Sequence, residues 1–185
     1  IDSLYKAGVM PTPSTAGEYG ADLFQSKMAA MTTIGHWAVP GYVQSGINFD
    51  VAPMPVGPAG QVTSVNSAGF VISKDTKNPD ASFKFIQFAL SEAGQKRLTE
   101  LGFAIPVLKS VAESDTFLKQ EGNLNQQVFL DSIAFARTKP VFKGYEEWAG
   151  VVGDGLMPVW DGEAELGPTL DAVVKSADEI LAQNQ

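Results

Sequence analysis

Strand-like and helix-like patterns are segregated along this sequence, and their order limits the folds that the chain can adopt. Apolar runs rich in β-formers, or alternating apolar and polar residues, predict strands near 29–34, 48–53 and 69–73. Apolar residues at helical spacing predict helices over 79–90 and 91–101, and at roughly 123–136, 144–157 and 164–183. We therefore expect an α/β protein whose sheet is incomplete in this chain.

Local signals mark several helix ends. Asn78 is suited to cap the helix that follows it, with Pro79 in the first turn and Asp80 at the positive end of the helix dipole. Gly102 is expected to end the next helix. Nearer the start, residues 1–8 have the pattern of a helix end, residues 10–20 of a connector and residues 20–27 of a helix, so we expect the sequence to begin within a larger structure.

Charge and composition exclude several functional classes. The formal net charge is −8 and the isoelectric point is about 4.6, so the surface repels nucleic-acid phosphates and we expect no nucleic-acid partner. The sequence contains no cysteine, which excludes disulfides, thiolate-bound metals and a cysteine nucleophile. No apolar run approaches the length of a membrane-spanning helix.

Motifs of catalysis and cofactor binding are missing. His36 is the single histidine, and no nucleophile elbow, phosphate-binding loop, dinucleotide fingerprint or zinc-binding pair occurs. Neighbouring acids, namely Glu146 with Glu147 and Asp161 with Glu163 and Glu165, would suit a glycoside hydrolase. They lie near predicted helix starts, where carboxylates favour the dipole and solvent, and we prefer that interpretation. We expect no enzyme activity, no metal and no cofactor.

One aromatic residue stands at an unexpected place in this pattern. Trp37 follows a predicted strand that stops at Gly35, and Pro40-Gly41 makes a turn just beyond it. One interpretation is a buried core anchor, because tryptophan is highly buried on average. The other is a flat surface for a ligand, because ligands of open α/β folds bind beyond strand ends.

Six segments occur in a recognisable order. They are FQSKMAAMTTIGHWAVPGY (24–42), INFDVAPMPVGPAG (47–60), NSAGFVISKDTKNPDASFKFIQFALSEAGQKRL (66–98), IPVLKSVAES (105–114), YEEW (145–148) and ADEILAQ (177–183). Together they resemble the C-terminal part of the extracellular solute-binding proteins of bacterial ABC transporters, the group that includes maltose-binding protein. The resemblance implies the C-terminal portion of a two-lobed α/β fold, periplasmic-binding-protein-like II. It assigns 1–66 to the C-terminal lobe, 67–110 to a segment of the N-terminal lobe and 111–185 to helices of the C-terminal lobe.

The sequence departs from that family at two places. Lys27-Met28 stand where many members have Gly-Lys, and Asn66-Ser67-Ala68-Gly69 stand where many have an aromatic residue before the glycine. A common sugar-stacking side chain is therefore missing, and the size and type of the ligand do not carry over from the family.

The resemblance also points to ligand-binding residues. Trp37 would stack on a sugar, and His36 would bond to a hydroxyl or, alternatively, to nearby backbone. Asn66 and Ser67 would face the cleft or satisfy their own loop. Trp148 would line the cleft or pack on a helical stripe with Tyr145 and Val152. Of two other aromatic residues, Phe70 is expected in the core and Trp160 is expected to pack at the end of its helix.

The implied function is solute binding for an ABC transporter. A sugar or oligosaccharide would be held between two lobes and passed to the membrane permease, either in the periplasm or from a lipid-anchored position on the cell surface. The alternative is a fragment of a carbohydrate-active hydrolase with paired carboxylates. Because half of the fold would be missing, Phe85 and Phe88 are expected to lack partners and to favour self-association of the truncated chain.

Overall fold

The computed structural model describes residues 2–19, 22–102, 104–120 and 124–184. In this part of the chain, ten α-helices are joined by loops, two 3₁₀ helices and one pair of short strands. The helices are α1 (Asp2–Lys6), α2 (Pro13–Tyr19), α3 (Val39–Gln44), α4 (Pro79–Leu90), α5 (Glu92–Glu100), α6 (Lys109–Ala112), α7 (Asp115–Leu118), α8 (Gln127–Asp131), α9 (Tyr145–Trp160) and α10 (Leu166–Gln183). The strands are β1 (Thr63–Ser64) and β2 (Ala136–Arg137), and the 3₁₀ helices span His36–Ala38 and Ser132–Phe135.

The chain divides into two compact units. The first comprises Ile1–Thr32 and Pro140–Gln185, and the second comprises Thr33–Lys139. This division by contacts differs from the division by lobes at 1–66, 67–110 and 111–185, and the lobe assignment stays a prediction.

The first unit is built around α9 and α10. Buried apolar side chains of these two helices form its core: Val159, Val173, Ala177 and Ile180. Three of them recur every three or four residues along α10, which is the spacing of one helical face. From α1, Tyr5 stacks on Trp160 with 5.4 Å between ring centroids, so the prediction that Trp160 packs is confirmed.

The second unit has a core that mixes apolar and polar side chains. Its buried residues include side chains from six helices and a loop: His36, Val39, Tyr42, Ala89, Gln95, Thr99, Val111, Ala112, Phe117, Leu124 and Gln126. Gln95 joins separate parts of this core, because its amide nitrogen donates to the carbonyl of Ala89 at 3.1 Å and its side-chain oxygen accepts from the backbone N–H of Val107 at 3.0 Å. These bonds satisfy a buried amide, as burial requires.

The best-marked helices are where the sequence predicts them. The helix predicted at 79–90 is α4, and α5 follows it with its N-cap at Ser91, whose hydroxyl accepts from the N–H of Gly94 at 3.2 Å. Asn78 is the N-cap of α4, although its side chain makes no capping hydrogen bond. The helices predicted at 144–157 and 164–183 are α9 and α10, and α1 confirms the helix end before Gly8.

The three predicted strands are wrong. Residues 29–34, 48–53 and 69–73 lie outside any helix or strand, and β1 pairs instead with the distant β2, in parallel, with Thr63 opposite Ala136. A strand exists only where a second backbone edge accepts its hydrogen bonds. No described residue provides such an edge for these three segments.

Three other local predictions fail for identifiable reasons. Residues 22–27 form turns and no helix, because the Asp22 carboxylate accepts from the N–H groups of Phe24 at 3.0 Å and Gln25 at 2.9 Å. Residues 20 and 21 lie outside the described part. The predicted connector contains α2, and the helix predicted at 123–136 is divided into α8, a 3₁₀ helix and the start of β2.

Exposed apolar side chains cluster on and near α4. Phe85 is 62% and Phe88 59% exposed, which confirms that these two rings lack cover. Phe70 is 41% exposed and lies in an edge-on arrangement with Phe85, at 6.3 Å between centroids, so its predicted place in the core is wrong. Self-association through this surface stays a prediction. None of the described helices combines the length and apolar character needed to span a membrane.

Candidate ligand-binding site

Trp37 lies on the surface of the second unit. It is the middle residue of the 3₁₀ helix His36–Ala38, and its side chain is 61% exposed. A core anchor would be buried, so the exposure argues against that interpretation of the sequence. An exposed indole has an apolar face available to another molecule.

Gly35 determines where the indole lies. A β-carbon built on Gly35 would overlap three carbons of the six-membered ring of Trp37. The ring therefore occupies the space that a side chain at position 35 would take. Gly35 itself has an extended backbone, with φ −83° and ψ 168°, which any residue can adopt. The glycine is required here by the close approach of the indole and not by its backbone angles.

His36, next to Trp37, is buried at 4% exposure. Its ring lies 5.3 Å from Phe117 and 5.0 Å from Phe129, the latter in an edge-on arrangement at 83°. Because a 3₁₀ helix has about three residues per turn, His36 and Val39 fall on the same face and Trp37 about 120° away from them. Val39 is 2% exposed, so this face is the buried one and Trp37 is turned out to solvent.

The electrostatic environment keeps His36 neutral. Burial lowers the pKa of its imidazole below the ordinary value, and the nearby side chain of Gln126 opposes this shift in part. The Gln126 amide is therefore near enough to the imidazole to act on its pKa, yet by hydrogen-bond geometry neither ring nitrogen has a partner among the described residues. A ligand contact of His36 stays a prediction. Its burial favours a role in supporting the 3₁₀ helix from the protein side.

Gln126 is a residue that the sequence interpretation missed. It is 1% exposed, and neither atom of its amide has a partner among the described residues. It lies next to a second glutamine, Gln127, in a stretch that has the pattern of a polar helix start. No signal in the sequence distinguishes the buried glutamine from the exposed one.

Asn66 and Ser67 are exposed and follow β1 in the same unit as Trp37. The last backbone hydrogen bond before them joins the N–H of Val65 to the carbonyl of Arg137 at 3.0 Å. No contact described for this unit joins either side chain to Trp37 or His36. Their place at a ligand therefore stays a prediction.

Trp148 belongs to the first unit and is half-buried in α9. It forms an aromatic cluster with Phe142, at 5.8 Å and 78°, and with Tyr145, at 6.1 Å and 31°. The spacing of Tyr145 and Trp148 on one helical face is the packing alternative raised by the sequence. The cluster shows packing between the three rings, while a ligand contact of Trp148 stays a prediction.

The acidic residues considered for glycoside hydrolysis lie in the first turn of α9 and in the loop before α10. Glu146 and Glu147 are exposed in the first turn of α9. Asp161 accepts a hydrogen bond from the backbone N–H of Ser14 at 3.0 Å, and this bond lowers the pKa of its carboxyl. A general acid needs a raised pKa, so the shift is in the wrong direction. No group of three or more His, Asp or Glu side chains in the described part of the chain is arranged to hold a metal.

Comparison with known proteins points to one family. Residues 1–125 match the family described as bacterial extracellular solute-binding protein. The galactooligosaccharide-binding protein of Bacillus subtilis is 24% identical over 183 residues, covering 96% of this chain and 42% of that protein. The maltodextrin-binding protein MdxE of the same organism is 24% identical over 143 residues, covering 76% of this chain and 34% of that protein.

The fold has a counterpart among solved structures. The ABC substrate-binding protein Lmo0181 from Listeria monocytogenes, in complex with cycloalternan, superimposes with a TM-score of 0.74 at 20% identity. The match covers 94% of this chain and 44% of that protein. The chain thus has part of the fold of a substrate-binding protein, and it spans less than half the length of each of these three proteins.

Proposed function

Because this chain belongs to the bacterial extracellular solute-binding proteins, we propose that it forms part of a receptor that binds a sugar or oligosaccharide for an ABC transporter. The single observation that carries this proposal is the exposed indole of Trp37, oriented by Gly35 and supported by the buried His36. A pyranose ring has an apolar face of C–H groups, which an indole matches without any charge. The ligands named for three relatives, galactooligosaccharide, maltodextrin and cycloalternan, are the first candidates.

The proposed mechanism is binding without chemistry. The solute is held between two lobes that close on it, and the closed form is presented to a membrane permease. Residues 1–66 and 111–185 belong to one lobe and residues 67–110 to the other. His36, Asn66, Ser67 and Trp148 are further candidate contacts. The family is extracellular, so the receptor works outside the cytoplasm, either in the periplasm or anchored by a lipid at the cell surface.

The test is substitution of the indole in the natural full-length protein. Trp37→Ala should weaken sugar binding by about thirtyfold, or about 2 kcal/mol, because an aromatic ring in a desolvated cleft is a typical hot spot. The melting temperature should change little, because the side chain is largely exposed before the ligand arrives. Val141→Ala is a control, since Val141 is also apolar, is 95% exposed and lies outside α4 and its lobe segment.

Titration calorimetry with the three candidate sugars gives the affinities, and melting curves give the stability. Val141→Ala should bind like the parent. A Trp37→Ala protein that is badly destabilised yet binds with near-parental affinity, measured below its melting temperature, would contradict the proposal. The 185-residue chain alone should bind these sugars weakly, because it provides only part of the two-lobed cleft.

A further inference from the structure

Two neighbouring buried side chains in the second unit, one of them in the 3₁₀ helix that carries Trp37, have four polar atoms without partners among the described residues. They are the two ring nitrogens of His36 and the two amide atoms of Gln126, none of which has a hydrogen-bond partner among the described residues. The two side chains are 4% and 1% exposed. Unpaired buried polar groups are costly in any fold, so their occurrence as neighbours requires an explanation.

The two side chains are chemically complementary. A neutral imidazole has one N–H donor and one nitrogen acceptor, and a primary amide has both a donor and an acceptor. A small rotation of either side chain would form a hydrogen bond between them, and reversal of the amide would serve the other tautomer of His36. A protonated imidazole has two donors and no acceptor. Gln126 can then accept from only one of them, and the second donor is buried between aromatic rings.

Movement of His36 would be transmitted to Trp37 by the backbone. The two residues are consecutive in a 3₁₀ helix of only three residues, and the ring of His36 packs against both Phe117 and Phe129. The contacts of Phe117 and Phe129 with His36 therefore determine how the 3₁₀ helix is rotated about its axis. Any rotation that brings His36 closer to solvent turns the indole away from its position over Gly35.

We propose that His36, paired with Gln126, is a positioning residue that sets the orientation of the Trp37 indole at the ligand site. The proposal rests on the stacking role of Trp37 proposed above. The positioning role requires no ligand contact of His36, and it makes the position of the indole depend on whether the imidazole is neutral.

The charged groups of the neighbouring elements are directed elsewhere. On α7, which carries Phe117, Asp115 pairs with the exposed Lys119 at 2.7 Å. On α8, which carries Phe129, the exposed Asp131 accepts from the Gln127 amide at 2.8 Å. The Asp50 carboxylate accepts from the backbone N–H of Asn125, next to Gln126, at 2.9 Å and is also exposed. The stretch from Gly35 to Gln44 contains no other ionisable side chain except Tyr42.

Burial is accordingly the main influence on the pKa of His36, and it lowers that pKa below the ordinary value near 6.5. The imidazole is therefore neutral at pH 7.5 and takes up a proton only below pH 6.5. The expected consequence is a pH-dependent position of the indole, below pH 6.5, while the protein remains folded.

The experiment uses the full-length protein with 5-fluorotryptophan at each tryptophan, each resonance being assigned by a Trp→Phe variant. Fluorine NMR spectra between pH 7.5 and 5.0 then report on the indoles, and calorimetry over the same range gives the sugar affinity. The comparison protein is the double variant His36→Phe/Gln126→Leu, which removes both polar partners together and keeps side chains of similar size. Such paired replacement avoids leaving one buried polar group alone.

In the parent, the resonance of Trp37 should move with a midpoint below pH 6.5, and sugar affinity should fall about five- to tenfold, a typical coupling between two sites. The resonances of Trp148 and Trp160 should not follow this titration, and the double variant should show neither effect. A Trp37 resonance that is constant in the parent, or that moves equally in the double variant, would overturn the positioning role. A Trp37 resonance that follows the titration in a protein that binds none of the sugars would support positioning and overturn the proposed stacking.

Discussion

The indole of Trp37 occupies the space that a β-carbon on residue 35 would take. Since the backbone of Gly35 is extended and suits any residue, only the indole prevents a side chain at this position. The two residues therefore act as one feature of the surface. A substitution at Gly35 should disturb the indole without disturbing the backbone fold.

Gly35→Ala should displace the indole and weaken sugar binding by about tenfold, or about 1.4 kcal/mol, with little change in melting temperature. Gly41→Ala is the matched control, because Gly41 lies in α3 close by and a β-carbon there meets nothing within 4 Å. Calorimetry of both single variants, of Trp37→Ala and of Gly35→Ala/Trp37→Ala completes a double-mutant cycle. If Gly35→Ala weakens binding further in the absence of the indole, the effect does not act through Trp37.

Because α9 packs on α10, alanine substitutions at two glycines of α9 should change the stability of the protein in opposite directions. A β-carbon on Gly155 would lie 2.5 Å from Cγ2 of Val173, a buried residue of α10. Gly155→Ala should therefore destabilise the protein by roughly 1–2 kcal/mol, because overpacking exceeds the gain in helix propensity. Gly153 lies in the same helix with open space at its β-carbon, so Gly153→Ala should stabilise by about 0.5–1 kcal/mol. Urea unfolding measures both, and equal effects of the two substitutions would contradict the close approach of the helices.

Acid should remove the contribution that the Asp161 carboxylate makes to folding stability. The N–H of Ser14 in α2 donates to its carboxylate, which lowers the pKa of the folded form below the ordinary value of 3.8. The contribution to stability is therefore fully present above about pH 4 and is lost as the pH falls through the lower pKa of the folded state. Asp161→Ala should melt below the parent at pH 7, and the difference should shrink toward pH 2.5. Glu163→Ala is the control in the same loop, and a pH-independent difference for Asp161→Ala would exclude the charge as its cause.

The exposed rings on α4 predict association of the 185-residue chain. Phe85 and Phe88 are each more than half exposed, and contiguous apolar surface of this kind favours contact between molecules. Sedimentation velocity over a range of concentrations should show association that decreases in Phe85→Ser/Phe88→Ser. Leu4→Ser is a control at an apolar residue that is 47% exposed on α1. A parent that stays monomeric at all concentrations would exclude this surface as a contact between copies.

Prediction from the sequence succeeds for the long helices and fails for the strands. For α4, the apolar spacing and Pro79 in the first turn place the whole helix correctly, and Gly102 correctly follows α5. These signals suffice because the backbone hydrogen bonds of a helix close within the helix itself. β1 needs β2, which is more than seventy residues away at Ala136, and no local pattern in either segment specifies that pairing.

For the candidate site too, some features follow from the sequence and others only from the tertiary structure. The sequence alone identified Trp37 as a residue placed beyond a run of apolar residues, recognised the family, and excluded cysteine chemistry through composition. The tertiary structure decided that Trp37 is exposed, that His36 is buried against Phe117 and Phe129, and that Gln126 is buried near it. The physical reason is that helix formation and residue chemistry are local properties, whereas burial depends on which distant parts of the chain pack against a side chain. His36 and Trp37 are adjacent in sequence and have opposite environments for that reason alone.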